Sequence, residues 1–251
     1  MTDLTGLTAV VTGGNSGIGR AMAVGMAKAG ADVAIWARDE KRSAETVAEI
    51  TGYGVRALAV GCDVTDEDAV AAAMEQTVTE LGPLGCLVAN AGVTDGAPIT
   101  EMTLDRWHRV LRTNLDGAFL STREAARRFV AQDSGGSIVV VSSTVSRYGG
   151  TGLAAYSASK TGLLGLGRTL AVELARYRVR CNILLPGWTR TPMTETLQAD
   201  DRFMAATTAR TPVRRWGIPE EFHEVAAFLA DPALTFHTGN EVVVDGGYSV
   251  F

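Results

Sequence analysis

The chain has 251 residues, 46% of them apolar and 20% charged, with a formal net charge of −5. That mix excludes an intrinsically disordered chain, and the acidic balance argues against nucleic acid as the main partner. No apolar stretch is long enough to span a bilayer, and Met1-Thr2-Asp3-Leu4 lacks the basic and apolar regions of a signal peptide, so a cytoplasmic protein with no membrane partner is expected.

The first apolar run, Leu7 to Val11, reads as a buried strand. It feeds Thr12-Gly13-Gly14-Asn15-Ser16-Gly17-Ile18-Gly19, and a helical pattern then runs from Arg20 to Ala29, with Gly30 as the stop. Strand, glycine turn and helix together make an anion site: glycine lets backbone N–H groups approach a pyrophosphate, and the helix N-terminus adds partial positive charge. The spacing is a variant of Gly-x-Gly-x-x-Gly, and an ordinary strand–helix turn is the bland alternative.

Alternation continues down the chain. Ala31 to Ala37 reads as a strand, Arg38 to Ile50 as a helix, Val55 to Cys62 as a strand, and Asp66 to Leu81 as a helix with acidic residues in its first turn. Cys86 to Ala89 is a short strand, followed by a long helix near Leu104 to Ala131 and the strand Ser137 to Ser142. Another long helix spans about Ala154 to Tyr177, then come a strand from Val179 to Leu185, a helix from Glu220 to Ala230, and a last strand from Glu241 to Val244. Continuous apolar strands separated by helices predict an α/β, three-layer, doubly wound Rossmann fold with a mainly parallel sheet of about seven strands. No linker or composition shift divides residues 1–251, so one domain is expected. The polar stretch around residues 187–217 begins at a strand's C-terminal end and reads as a substrate lid.

Cys62, Cys86 and Cys181 sit in or beside apolar runs and form no Cys-x-x-Cys, so they read as buried free thiols. His108, His223 and His237 have no metal-ligand spacing, and no metal site is expected. Tyr156 and Lys160 are four apart near a helix start, which puts both on one face with Cβ atoms roughly 5–6 Å apart. A lysine ammonium about 4 Å from the phenol favours the phenolate by up to about 4 kcal/mol, or about 3 pKa units, which makes a proton donor and acceptor suited to neutral pH. Taken alone, the pair could equally be a surface aromatic–cation contact. Its company alters that balance: Ser142-Ser143 ends a buried strand, Asn90-Ala91-Gly92 ends the strand before it, and Asn114 sits inside a long helix where propensity does not favour it.

Thr12-Gly13-xxx-Gly17-x-Gly19, Asp63, Asn90-Ala91-Gly92, Asn114, Ser143, Tyr156-xxx-Lys160 and Pro186-Gly187 occur in that order over essentially the whole chain. In this the sequence resembles the short-chain dehydrogenase/reductase family in its single-domain form. The resemblance implies a catalytic set of Asn114, Ser143, Tyr156 and Lys160. Tyr156 would be the general acid in carbonyl reduction and the base in alcohol oxidation. Ser143, thirteen residues before it, would hold the substrate oxygen. Lys160 would lower the tyrosine pKa and grip the nicotinamide ribose, and Asn114 would hold a relay water. Cofactor contacts are implied for Gly13, Asn15, Ser16, Gly17, Ile18, Gly19, Asp63, Val64, Asn90, Ala91, Gly92, Tyr156, Lys160, Pro186, Gly187, Thr189 and Thr191, with Thr189 contributing only its backbone. Ala37, followed by Arg38, stands where NAD readers place an acid, so NADP is favoured over NAD, against Ser16, where many NADP-specific relatives carry a second base, and against repulsion of a phosphate by Asp39.

Thr94, Asp95, Thr144, Val145, Arg147, Tyr148, Trp188 and the stretch Met193–Met204 are candidates for the substrate pocket, with Arg147 able to meet an anionic substrate. The resemblance further implies a small-molecule carbonyl or alcohol partner and a homotetramer built on the two long helices and the apolar tail. The expected activity is hydride transfer between nicotinamide and a carbonyl or secondary alcohol, by a ketone or 3-oxoacyl reductase. A sugar or small-alcohol dehydrogenase using NAD is the alternative. A non-catalytic dinucleotide-binding sensor is a third reading, disfavoured because all four catalytic positions are intact.

Overall fold

Strands that are apolar along their whole length need cover on both faces, and the chain supplies it. In the computed structural model, which describes residues 2–251, seven strands form one sheet. They are β1 (Thr8–Thr12), β2 (Asp32–Ala37), β3 (Ala57–Gly61), β4 (Leu84–Ala89), β5 (Gly136–Val141), β6 (Val179–Pro186) and β7 (Glu241–Val244). The spatial order is β3-β2-β1-β4-β5-β6-β7, and every neighbouring pair is parallel.

The helices are α1 (Gly17–Lys28), α2 (Glu40–Thr51), α3 (Glu67–Leu81), α4 (Leu104–Leu111), α5 (Gly117–Gln132), α6 (Ala154–Leu174), α7 (Glu195–Gln198), α8 (Asp201–Arg210) and α9 (His223–Ala230). Alternate strand residues serve opposite faces. Val11, Ile35 and Val139 pack with Met22 and Met26 of α1 and Leu229 of α9. Val10, Leu87, Ile138 and Val140 pack with Met74 of α3, Phe129 of α5 and Leu163 and Leu170 of α6. Phe129 is fully buried, so its loss would cost about 3–5 kcal/mol.

Side-chain caps set several helix starts. Asp39 accepts from the Arg42 N–H, so α2 begins two residues later than its charge pattern suggests; Asp66 does the same for Ala69 ahead of α3. The long helix expected at 104–131 is not continuous: α4 and α5 are separated by a five-residue π turn, Arg112–Asp116, with Asn114 at its centre. The helix expected to reach Tyr177 gives way after Leu174 to a 3₁₀ turn, and Pro219–Phe222 is a 3₁₀ turn ahead of α9. The lid stretch carries two helices, α7 and α8, that its polar sequence does not announce.

β1 has β2 on one side and β4 on the other, so consecutive connections leave it in opposite directions. A crevice opens beyond the C-terminal ends of β1 and β4, where ligands bind in sheets of this kind.

Candidate active site

The glycine loop lies in that crevice. Gly13 and Gly17 have positive φ, +64° and +53°, which a side chain would strain. A Cβ on Gly19 would run into the Asn90 amide and come within 2.5 Å of the Gly13 carbonyl oxygen. Thr12 ties the two strand ends together: its Oγ1 accepts from both Asn90 N and Ala91 N at 2.9 Å. Asn90 Nδ2 donates to the Thr12 carbonyl at 2.9 Å, so this side chain shapes the turn.

The resulting cleft is about 610 Å³. Gly13, Asn15, Ser16, Gly17, Ile18, Gly19, Arg38, Asp63, Val64, Asn90, Ala91, Gly92 and Thr191 all line it. Bare backbone at the helix mouth and polar side chains along the cleft suit the pyrophosphate and ribose groups of a dinucleotide. At the outer end, Arg38 Nη1 lies 3.6 Å from Asp63 Oδ2, and Asp63 also accepts from Thr65 N and Oγ1. Those hydrogen bonds, with Arg38 nearby, hold the Asp63 carboxyl below its usual range. Asp39 is occupied with capping α2 and lies 3.4 Å from Arg42 Nε, which tempers the repulsion its charge would bring. Arg42 itself lines the cleft. The sequence reading missed it; its signal was a second arginine one helical turn beyond Arg38.

Ser143, Tyr156 and Gly187 line a second, smaller cavity, which shares Thr94 and Met193 with the first. The two adjacent serines separate cleanly. Ser142 is buried and its Oγ donates to the Lys160 carbonyl at 2.7 Å. Ser143 lines the cavity beside Tyr156, and its Oγ accepts from Val145 N at 3.3 Å.

Lys160 is buried beneath Tyr156, with Nζ 5.6 Å from the ring centroid, and donates to the Val141 carbonyl at 2.8 Å. Burial pushes the Tyr156 phenol up to about 12, against a smaller downward pull from Ser143. Burial pulls the Lys160 ammonium down to about 8. Burial acts on both groups against their charged forms, opposite in direction to the pull of a lysine on its neighbouring phenol.

Asn114 accepts from Val93 N at 2.8 Å and donates to Val93 O at 3.0 Å and Ser159 Oγ at 3.1 Å. A Cβ on Gly92 would sit 3.3 Å from Asn114 Oδ1 and 3.6 Å from Lys160 Nζ, so Asn114, Gly92 and Lys160 form one buried cluster.

Other residues fall elsewhere. Pro186 lines neither cavity; its carbonyl accepts from Thr144 Oγ1 at 3.3 Å. Thr189 turns its Oγ1 onto the Gly187 carbonyl and pairs by backbone with Gly217. Arg147 points away from the pocket, and with Arg168 it clasps Glu241. Asp95 also leaves the pocket, held by Arg106 and Arg109 at 2.5 Å each. Leu153, just before α6, lines the pocket although its sequence gives no sign of it. Trp188 stacks on Trp216 at 5.3 Å and meets Phe203 edge-on at 5.1 Å, which fastens the 187–217 stretch to itself.

A family model described as enoyl-(acyl carrier protein) reductase matches residues 13–249. The chain belongs to the short-chain dehydrogenase/reductase family. Cis-4-hydroxycyclohexanecarboxylate dehydrogenase of Sinomonas cyclohexanicum is 43% identical over 243 residues, covering 96% of each chain. The 3-oxoacyl-[acyl-carrier-protein] reductase of Synechocystis sp. is 37% identical over 253 residues, covering 100% of each. Among solved structures, gluconate 5-dehydrogenase from Burkholderia cenocepacia J2315, in complex with NADP and tartrate, superposes with a TM-score of 0.95 at 33% identity, covering 100% of this chain and 98% of that one.

As a short-chain dehydrogenase/reductase, this protein is an NAD(P)-dependent oxidoreductase acting on CH–OH groups. Those relatives are named for an alicyclic alcohol, an acyl thioester and a sugar acid, three unlike substrates. Among the described residues, no helix is long and apolar enough to cross a membrane, and no cluster of three or more His, Cys, Asp or Glu is placed to hold a metal. The three cysteines are buried and free, and burial pushes their thiols up to between about 11 and about 12.

Proposed function

We propose that this protein is an NADP-preferring ketone reductase. The observation that carries the reading is the convergence of Ser143 and Tyr156 on the smaller cavity, with the buried Lys160 Nζ 5.6 Å from the Tyr156 ring centroid. A phenol beside a second hydroxyl at the end of a pocket can give a proton to a carbonyl oxygen as it is reduced. When bound, NADPH supplies the hydride from nicotinamide C4. Tyr156 gives its proton to the substrate oxygen as the carbonyl carbon is reduced, and Ser143 holds that oxygen. Lys160, pinned by Val141, anchors the ribose end and the phenol's far side. Asn114 fixes the Val93 backbone and completes the buried polar cluster beneath Gly92.

Arg38 and Arg42 at the outer end of the cleft support recognition of a 2′-phosphate, because guanidinium groups pair well with phosphate. Residues 187–217 act as the lid of a single domain in this reading. The exposed apolar residues Val172 on α6 and Val250 and Phe251 at the tail support a homotetramer, and the protein works in the cytoplasm. Fluorescence titration with NADPH and NADH tests the assignment. NADPH should bind at least tenfold tighter, and Arg38→Ala with Arg42→Ala should abolish the difference. Tighter NADH would favour a sugar or small-alcohol dehydrogenase instead.

A further inference from the structure

The smaller cavity holds about 100 Å³ and shares Thr94 and Met193 with the cofactor cleft. Its walls are Val145, Leu153, Trp188, Met193 and Leu197, with Tyr148 alongside. No charged side chain lines it. Asp95 is engaged by Arg106 and Arg109 and Arg147 by Glu241, while Arg190 and Glu195, in the adjoining stretch, are exposed and are not lining residues. Arg210 packs on the rings of Tyr148 and Tyr248, 5.5 and 4.4 Å from their centroids, and is not a lining residue. Three of the wall's hydroxyls have partners, whereas the buried Trp188 Nε1 has none among the described residues. Tyr148 Oη and Thr144 Oγ1 are 2.9 Å apart, and Thr194 Oγ1 donates to the Thr189 carbonyl at 2.8 Å. Ser143 and Tyr156 are the hydroxyls gathered at the reactive end.

A carboxylate in such a pocket would lose its hydration without gaining a cation. A polyol would find few free polar groups beyond the reactive end and Trp188 Nε1, whereas an apolar ring gains contact with Val145, Leu153, Trp188, Met193 and Leu197. From this we infer that the substrate is a compact, uncharged alicyclic or branched ketone with a single oxygen at the reactive end. The inference rests on the ketone-reductase reading above and narrows it: sugar acids and ring carboxylates are disfavoured substrates.

The test is a matched pair assayed with NADPH: 4-methylcyclohexanone against 4-oxocyclohexanecarboxylate, with 5-keto-D-gluconate as a third substrate. The methyl ketone should exceed each anion at least 100-fold in kcat/KM. Leu197→Arg, which puts a cation in the wall, should narrow the ring-pair ratio at least tenfold. Equal or better turnover of either anion overturns the inference while leaving the oxidoreductase reading intact, as does carboxylate turnover that vanishes in Arg210→Ala. No turnover of the methyl ketone also overturns it, and a broad panel of carbonyls and secondary alcohols then decides separately whether the wider reading survives.

Discussion

Lys160 Nζ lies 5.6 Å from the centre of the Tyr156 ring, and its firm hydrogen bond goes to the Val141 carbonyl, 2.8 Å away. A cation held in the protein interior this way costs folding energy. The ordinary value of 10.5 falls to about 8, so the folded state binds this proton less tightly than the unfolded chain does. The penalty is present in full below pH 8, shrinks as pH rises, and is gone above 10.5. Lys160→Met removes it at the expense of an unsatisfied Val141 carbonyl. At pH 7 the variant should gain a few degrees in Tm, roughly 2 kcal/mol, and the gain should fade between pH 8 and 10.5. Turnover should fall by about 1,000-fold or more. Thermal melts across that pH range check the sign.

The paired serines divide labour in a way that mutation separates. Ser142→Ala loses a buried bond to the Lys160 carbonyl and should cost about 1–2 kcal/mol of stability while changing kcat only a few-fold. Ser143→Ala removes the hydroxyl that faces substrate and should lower kcat by about 100-fold or more with little change in Tm. Urea denaturation alongside steady-state kinetics on both variants tells the two apart.

Glu241 connects the turn after Ser143 to the helix that carries Tyr156, through Arg147 and Arg168. The hydrogen bond from Arg147, then that from Arg168, holds its carboxyl below the ordinary 4.5. Its stabilising effect is present above that value and lost as pH falls through the lowered one. Glu241→Gln should cost roughly 1 kcal/mol at pH 7, because both arginines are partly exposed, and the difference should close in acid. Denaturant midpoints followed from pH 7 downward through and well below 4.5 measure it.

Gly19 is where the glycine loop tolerates no side chain at all. Gly19→Ala should weaken NADPH binding more than tenfold, since the Cβ must displace Asn90 or the Gly13 carbonyl. Gly61→Ala, on β3, meets nothing within 4 Å and should leave affinity unchanged. Fluorescence titration of the two variants gives the comparison.

The sheet and the glycine loop were legible in the sequence because each strand is a continuous apolar run and the loop sits between a strand and a helix. The Tyr156–Lys160 face was legible because a spacing of four is a property of any helix. The π turn at Asn114 was not, since apolar periodicity passes across it without a break. Nor could local pattern separate Ser142 from Ser143, or Arg147 from a pocket residue: in each case the partner that decides, Lys160 O or Glu241, is many residues away. Charge proximity at Tyr156 can be read from spacing, whereas burial, which acts on the phenol in the opposite direction, depends on everything packed around the ring.

Proton donation by Tyr156 is the centre of this account, and Tyr156→Phe tests it most directly when NADPH affinity and ketone turnover are measured on the same sample. NADPH affinity should stay within about threefold of the unaltered protein while turnover falls at least 1,000-fold. A variant that binds NADPH normally and keeps more than a tenth of its activity would contradict the mechanism.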